Sequence, residues 1–414
     1  MTAEVAVLNT HGVALAAVSA VTVFTGGEKK VYNTANKVFA LSKYRPIGIM
    51  IYNNATYMGI DWEIIIKEFR KSFKKEKRDT LFDYAKNFID YVKEYPLITE
   101  EQQKDTLLSI CDTIISFVNK KFFHAVENEL NTVENITLGQ ISSVLDSVIE
   151  NIQKQQKNMP DEDSYTLDVD FVDKYKNDIY KKIDKLFEKY GISITQKENI
   201  LEIIKSNISK ANHLDNFSGI VITGYGDKEI FPSIYNCEIC GKIGKSFVLF
   251  NEDKDSISYE HTATIVPFAQ KEMVLTFMSG IDPDFRKIID QRFNSLMMSI
   301  FDIVGDPYKS KLMETKDEFI EYLDIVQQEI YINPIMGIVK SLQKLDLAEM
   351  AETLVNLTAF KRHVSKDAET VGGPTDVAVI TKGDGFVWIK RKHYFDIKLN
   401  QSFQQNYFME DADE

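Results

Sequence analysis

Residues 1–22 read MTAEVAVLNTHGVALAAVSAVT, and the reading of this stretch decides the fold. An export signal needs a positively charged start, yet Glu4 comes early and no Lys or Arg precedes Lys29. The apolar run Val13 to Phe24 is too short to span a bilayer and is interrupted by Ser19 and Thr22, so no export signal is expected. Val5, Val7, Val13, Leu15 and Val18 are instead typical of buried strands, with Asn9-Thr10-His11-Gly12 as the turn between them. The prediction is a hairpin whose first strand starts almost at residue 2. Because termini are normally loose, a strand that carries residue 2 into a core makes Thr2 a candidate functional residue.

The chain of 414 residues is long enough for a large core or several domains. Its 44% hydrophobic and 27% charged residues are those of an ordinary globular protein. A formal net charge of −13 argues against a nucleic-acid or anionic-membrane surface, since both reward Lys and Arg. Three cysteines do not make a disulfide framework, and a reducing cytoplasm is the expected home. No stretch reads as a transmembrane helix.

Along the chain, β-rich and α-rich blocks alternate. Residues 2–52 read as strands, including NKVFALS and RPIGIMIYNN. From about Tyr57 to His213, segments such as WEIIIKEFRKSF, LFDYAKNFIDYVKEY and DTLLSICDTIISFVNKKFFHAV place apolar residues at three- and four-residue steps. Within this block KQQKNMPDEDSY is the exposed linker. Strands return with FSGIVITGYG, EIFPSIYN, KSFVLFNE and SISYEHTATIVPF. A second helical block, roughly Gln270 to Phe360, is capped at Asp282-Pro283 and broken at Asn333-Pro334. DVAVITKGDGFVWIKRK closes as a hairpin. The order β, α, β, α, β fits two antiparallel sheets with helices outside both. The units are 1–56, the long helical block 57–213, and 214–414.

Several local patterns have ordinary explanations. Cys237-x-x-Cys240 resembles half of a zinc knuckle and makes these two candidate metal ligands, but a closed site needs four. Cys111 sits in a helical pattern, so a reduced thiol pair without metal is expected. GYGDKE and GDGF lack a strand–glycine loop–helix context and read as hairpin turns. KEFRKSFKKEKRD reads as a solvated helix end rather than an RNA-binding run, and the acidic tail as a disordered solvating end.

Five segments together resemble the proteasome β-subunit and the HslV peptidase: HGVALAAVSAVT, GGEKKVYN, IGIMIYNNATYMG, SGIVITGYGDKEIFPSIY and VGGPTDVAVITKGDGFVWI. The resemblance implies an α+β N-terminal nucleophile hydrolase fold, a four-layer α-β-β-α sandwich, with residues 57–213 as an enlarged helical insertion. It implies a bacterial-type threonine protease that hydrolyses peptide amide bonds without a cofactor. Removal of Met1 would expose Thr2, whose hydroxyl attacks and whose α-amine is the base. Lys30 would favour the alkoxide, the backbone N–H of Asn53 would face the oxyanion, and Asp367 stands one residue from the family's upstream aspartate. The partners implied are other copies of the chain in a ring or stack, and an ATP-dependent unfoldase. The chain departs from the pattern at Val18, where an aspartate is expected beside the lysine, which implies an impaired form. It departs also at Pro267-Phe268-Ala269 for Gly-Ser-Gly, at Val371 for serine and at Asn53 for glycine. The alternatives are a catalytically inactive scaffold or partner-binding ring component, and a small-molecule amidohydrolase on the same fold.

Overall fold

The computed structural model describes residues 3–25, 28–32, 34–131, 137–304, 308–365, 372–393 and 395–402, and for 21–31 and 397 the backbone alone. The expected order β, α, β, α, β is what it contains. Six main strands and two short ones come first: β1 (Ala3–Asn9), β2 (Gly12–Val18), β3 (Val21–Thr25), β4 (Glu28–Tyr32), β5 (Val38–Ala40), β6 (Ile47–Asn53), β7 (Thr56–Tyr57) and β8 (Ile60–Asp61). Helices α1 (Trp62–Phe73), α2 (Leu81–Lys93), α3 (Glu100–Leu130), α4 (Leu138–Lys157), α5 (Val169–Lys174), α6 (Lys176–Phe187) and α7 (Ile194–Ser209) follow. Then come β9 (Ser218–Gly224), β10 (Ser233–Ile243), β11 (Ser246–Ser256) and β12 (Ala263–Ala269). The chain continues with α8 (Glu272–Ser279), α9 (Pro283–Val304), α10 (Lys309–Gln327), α11 (Asn333–Val339) and α12 (Lys344–Val364), and ends its regular structure with β13 (Thr375–Thr381) and β14 (Gly385–Lys390).

The strands form two five-stranded antiparallel sheets. The first has the order β12-β1-β2-β13-β14 and the second β11-β10-β9-β6-β5. Every residue of β1 and of β2 is buried, which explains their nearly continuous apolar sequences: both faces of these strands are covered. Strand alternation sends Ala6, Leu8, Val13, Leu15 and Ala17 to one face, where they meet Val38, Met50, Tyr52 and Val221 of the second sheet. The intervening residues Val5, Val7, Ala14, Ala16 and Val18 face the other way and pack with Leu347, Ala351 and Leu354 of α12. The far face of the second sheet, with Ile49, Ile51, Ile220 and Ile222, is covered by Trp62, Ile65, Phe69 and Phe88 of α1 and α2.

The turn at Asn9 forms as its chemistry requires: the Asn9 Oδ1 accepts from the backbone of His11 at 2.8 Å. Its Nδ2 donates to the carbonyls of Val339 and Leu342, both at 2.9 Å, which ties the hairpin to the end of α11. Thr99, Thr137 and Ser193 each close a capping box and so begin α3, α4 and α7. The helical block packs on the far ends of β10 and β11, where Cys240, Ile243, Val248 and Phe250 join its core.

Two boundaries differ from the sequence reading. Helix α4 runs through Lys157 because Gln156 is buried and donates to the carbonyl of Ile203, so the loop begins only at Asn158. At Asn333-Pro334 the helix is not broken. A π-turn at 328–332 leads into α11 with Pro334 near its start, where the missing N–H costs nothing.

The position of Val18 generates a prediction. A carboxylate there would enter the apolar layer under α12 rather than the space between the sheets. Val18→Asp is expected to lower stability on the order of 3 kcal/mol or more, read as a large fall in the urea midpoint. A midpoint unchanged from wild type would refute this placement.

Candidate active site

One row of residues crosses the first sheet near the start of β1. Glu4 lies opposite Phe268 of β12 on one side and Ala17 of β2 on the other, and Ala17 lies opposite Asp376 of β13. Glu4 shares strand parity with Ala6 and Leu8, so its side chain belongs to the face between the sheets. Its relative exposure is 0% and that of Asp376 is 3%. Two buried carboxylates in an apolar layer require counter-charges.

Lys37 supplies the first. It precedes β5 and is fixed to the second sheet because its carbonyl accepts from the backbone of Ile51 at 2.9 Å. Its side chain turns towards the first sheet, with Nζ 3.3 Å from Glu4 Oε1 and donating to the carbonyl of Ala20 at 2.8 Å. Burial pushes the Lys37 ammonium down from its ordinary value to about 8, and the attraction of Glu4 offsets only part of that.

Lys392, just after β14, supplies the second. Its backbone N–H donates to Asp376 Oδ1 at 2.8 Å, and its ammonium pairs with Oδ2. The neighbouring Arg391 lies over the Trp388 ring at 4.8 Å; against its burial, Glu63 is held below its ordinary value by hydrogen bonds from Lys67 and, at 2.9 Å, from Asn36, with smaller help from Arg391. The segment 391–392 therefore stands between β13 and the approach to β5. Tyr52 flanks the row from the second sheet. Its ring stacks on Phe268 with centroids 5.5 Å apart, and its hydroxyl lies 3.1 Å from Glu238 Oε1 and 3.3 Å from Asn236 Oδ1. The ring crosses over Gly219, where a Cβ would sit 2.0 Å from Tyr52 Cζ. Burial and Glu238 hold the Tyr52 phenol well above its ordinary range, so it stays protonated.

The residues singled out in the sequence are distributed as follows. Met1, Thr2, Asp367, Val371 and the acidic tail lie outside the described residues. Lys30 pairs with Val23 in the β3–β4 hairpin, and its side chain lies outside the described set. Val18 packs under α12, and Ala17 takes the place on the Glu4 face. Asn53 ends β6 in the left-handed region (φ 66°), and its side-chain amide donates to the carbonyl of Phe217 at 2.9 Å. Cys237 is buried under α1 and α2, whereas Cys240 is buried in the core of the helical block. Burial pushes both thiols up, Cys237 to about 12, and no cluster of three metal-ligating side chains occurs among the described residues. No described helix is long and apolar enough to cross a membrane.

Glu4, Lys37, Asp376 and Lys392 were not singled out from the sequence. A signal for two of them is present: Glu4 and Asp376 are charges at inward positions of otherwise apolar strands. Elsewhere, a cleft of about 400 Å³ on the helical block is lined by Asp112, Ser116, Phe117, Lys120, His213 and Asp215. It has no buried ion pair, and His213, lowered by burial, is stacked on Phe117 at 3.9 Å.

The depressed Lys37 has a consequence for stability. In the unfolded chain it keeps its proton to about 10.5, and in the folded protein only to about 8. Between these values the unfolded state binds more protons, so stability rises with pH; below 8 both states are protonated and the contribution is flat. Urea denaturation of wild type and Lys37→Met from about pH 7 to about pH 10 is expected to show their difference shifting in favour of wild type above pH 8. A constant difference would contradict the burial of a charged Lys37. Gly219→Ala tests the other wall: displacing Tyr52 is expected to cost roughly 1–3 kcal/mol, and in a Tyr52→Ala background the same change is expected to cost far less.

No protein-family model matches the chain, and no curated protein matches it. Among solved structures, it aligns with Anbu from Hyphomicrobium sp. strain MC1 at 9% identity and a TM-score of 0.29, over 99% of this chain and 96% of that one. The Gly-1 mutant of the same protein aligns at 8% identity and a TM-score of 0.28, over 100% and 96%. Anbu (ancestral beta-subunit) from Yersinia bercovieri aligns at 8% identity and a TM-score of 0.26, over 99% and 96%. TM-scores this low do not establish a shared fold. With no family model matching either, the assignment to the proteasome β-subunit and HslV peptidase family, drawn from the sequence segments, does not stand. The chain is a mixed α+β protein built on two antiparallel sheets.

Proposed function

We propose that the chain is an amide hydrolase in which Thr2, freed by removal of Met1, is the nucleophile and Lys37 is the charged group that serves it. The observation that carries this reading is the buried Lys37–Glu4 pair, whose carboxylate stands two residues after Thr2 in the sequence. The two facing sheets, each with helices on its far side, support this reading.

The chemistry follows from ordinary acidities. An α-amine with a pKa of about 7.7–8.0 accepts the proton of the Thr2 hydroxyl as its oxygen attacks the amide carbon. The C–N bond then breaks, the amine leaves with that proton, and water hydrolyses the ester in the reverse sense. A protonated Lys37 lowers the cost of the developing alkoxide, and Glu4 offsets part of its desolvation. The backbone N–H of Asn53, at the end of the strand that carries Tyr52, is the proposed oxyanion donor. In this reading Val18 is not a lesion, because Glu4 supplies from β1 the counter-charge expected at that position. Peptides are the proposed substrates, with small amides as the comparison set.

The test uses protein whose intact mass shows loss of Met1. Cleavage of peptide amides with a fluorogenic leaving group is expected, with Thr2→Ala and Lys37→Met each lowering kcat by about 10²-fold or more. Lys30→Met is expected to change it by less than about twofold, as for a residue without a catalytic task. Absence of cleavage of any peptide or small amide by protein beginning at Thr2 would sink the reading.

A second reading, a catalytically silent assembly component, is favoured by one observation. Helices α9 and α10 expose Phe285, Ile288, Leu296, Ile303 and Tyr322, and α10 buries no residue. Inactivity combined with self-association that is lost on Leu296→Glu would support it; a monomer at all concentrations would not.

A further inference from the structure

The two ion pairs between the sheets are not independent. Glu4 and Asp376 stand on the same row of the first sheet, separated by Ala17. Lys37 is within electrostatic range of both carboxylates and of Lys392. The signs alternate along the cluster: Glu4, Lys37, Asp376, Lys392. Three of the four are carried by sheet strands or by the residue that leads directly into one. Lys392 alone lies beyond the last described strand, on a segment held among other contacts by the Asp376 pair and the Arg391 stack on Trp388.

We propose that Lys392 is a positioning residue for Lys37: by occupying Asp376 it keeps that carboxylate from becoming a second partner of Lys37, and so sets how tightly Lys37 holds its proton. The significance for catalysis rests on the role given to Lys37 above; the electrostatic arrangement does not. With Lys392 in place, Asp376 is neutralised by two contacts from one residue, its backbone N–H and its ammonium. Among the described residues, Lys37 is left with one direct counter-charge, Glu4, and one carbonyl, that of Ala20. Without the Lys392 ammonium, Asp376 is a buried carboxylate within electrostatic range of Lys37, and both gain by Lys37 staying charged. Among the described residues, the charged groups that act on Lys37 are Glu4 from β1, Asp376 from β13 and Lys392 from the segment after β14. Tyr52 of β6, which stays protonated, senses Glu4 from the other side.

This arrangement has a signature that a merely structural role does not produce. Lys392→Met removes a positive charge and is expected to raise the titration midpoint of Lys37 by about one unit or more. Asp376→Asn removes a negative charge while leaving Lys392 in place, and is expected to lower that midpoint. Lys392→Arg keeps the charge and is expected to leave it near wild type, as is Lys390→Met, whose partner Glu352 lies on α12. The midpoint is read by NMR on the full-length protein with isotopically labelled lysine, the Lys37 signal being assigned by its loss in Lys37→Met. If one of the charge variants does not fold, Asp376→Asn combined with Lys392→Met leaves no unbalanced charge and is expected to restore a near wild-type midpoint.

Shifts of opposite sign for the two single variants would bear the proposal out. No shift, or shifts of the same sign, would overturn it. An inactive protein with opposite shifts would refute the hydrolase reading and leave this inference standing. If the protein is active, the alkaline limb of its pH–rate profile is expected to move upward in Lys392→Met, because protonated Lys37 is then retained to higher pH.

Discussion

The ion pair between Glu4 and Lys37 joins the two sheets where neither can hold its own charge. A carboxylate at 0% exposure cannot stay ionised in an apolar layer without a cation, and a lysine at 4% exposure has the same difficulty. Each sheet supplies what the other lacks. The pair fixes the separation and relative position of the sheets at this end more specifically than apolar packing does, because Ala6, Leu8 and Val221 tolerate small displacements and a 3.3 Å ion contact does not. Around it the apolar layer is sealed by Tyr52 lying flat over Gly219 and against Phe268.

Much of the architecture was legible because its causes are local. The hairpin around Asn9 follows from turn chemistry, the closing hairpin from Lys382-Gly383-Asp384-Gly385, and the helical block from three- and four-residue spacing reinforced by capping boxes. The site was less legible because its causes are not local. Lys37 sits in a short connection, and nothing near it in sequence says that its ammonium will reach Glu4 across two sheets. Which face Val18 takes is a matter of parity: β2 sends its odd residues between the sheets and its even ones under α12. Glu4 and Asp376 could have been found by asking why an inward position of an apolar strand carries a charge. The resemblance of five segments to a known family is not accompanied by a matching family model, a matching curated protein or a structural alignment of high score.

The two helical blocks differ in how they are held. The first, α3 to α7, has its own core and is anchored on the long β10–β11 hairpin, whose outer ends carry Cys240 and Val248 into that core. This accounts for both cysteines: they follow each other in one strand but serve different layers, so their spacing reflects packing rather than ligation. The second block is divided. Helix α12 lies against the first sheet with Ala348 and Ala351 inward, small residues that meet Ala14 and Ala16 and permit close approach. The α9–α10 pair, by contrast, exposes much of its apolar surface.

The order of the first sheet also sets a timetable. Strand β1 is made first, yet its two neighbours are β2, which follows at once, and β12, which arrives only after the helical block is complete. The charge row is later still: Glu4 lies on the first strand of the sheet, while Asp376 and Lys392 follow every helix described between them. A chain that has emerged as far as α12 therefore holds a half-built sheet, with the free edge of β2 waiting for β13. Such an edge is where unwanted strand pairing begins, and closing it demands contacts between strands far apart in sequence, the slowest kind to form. The place where β2 receives β13 is thus also where the folding of this sheet is last to commit.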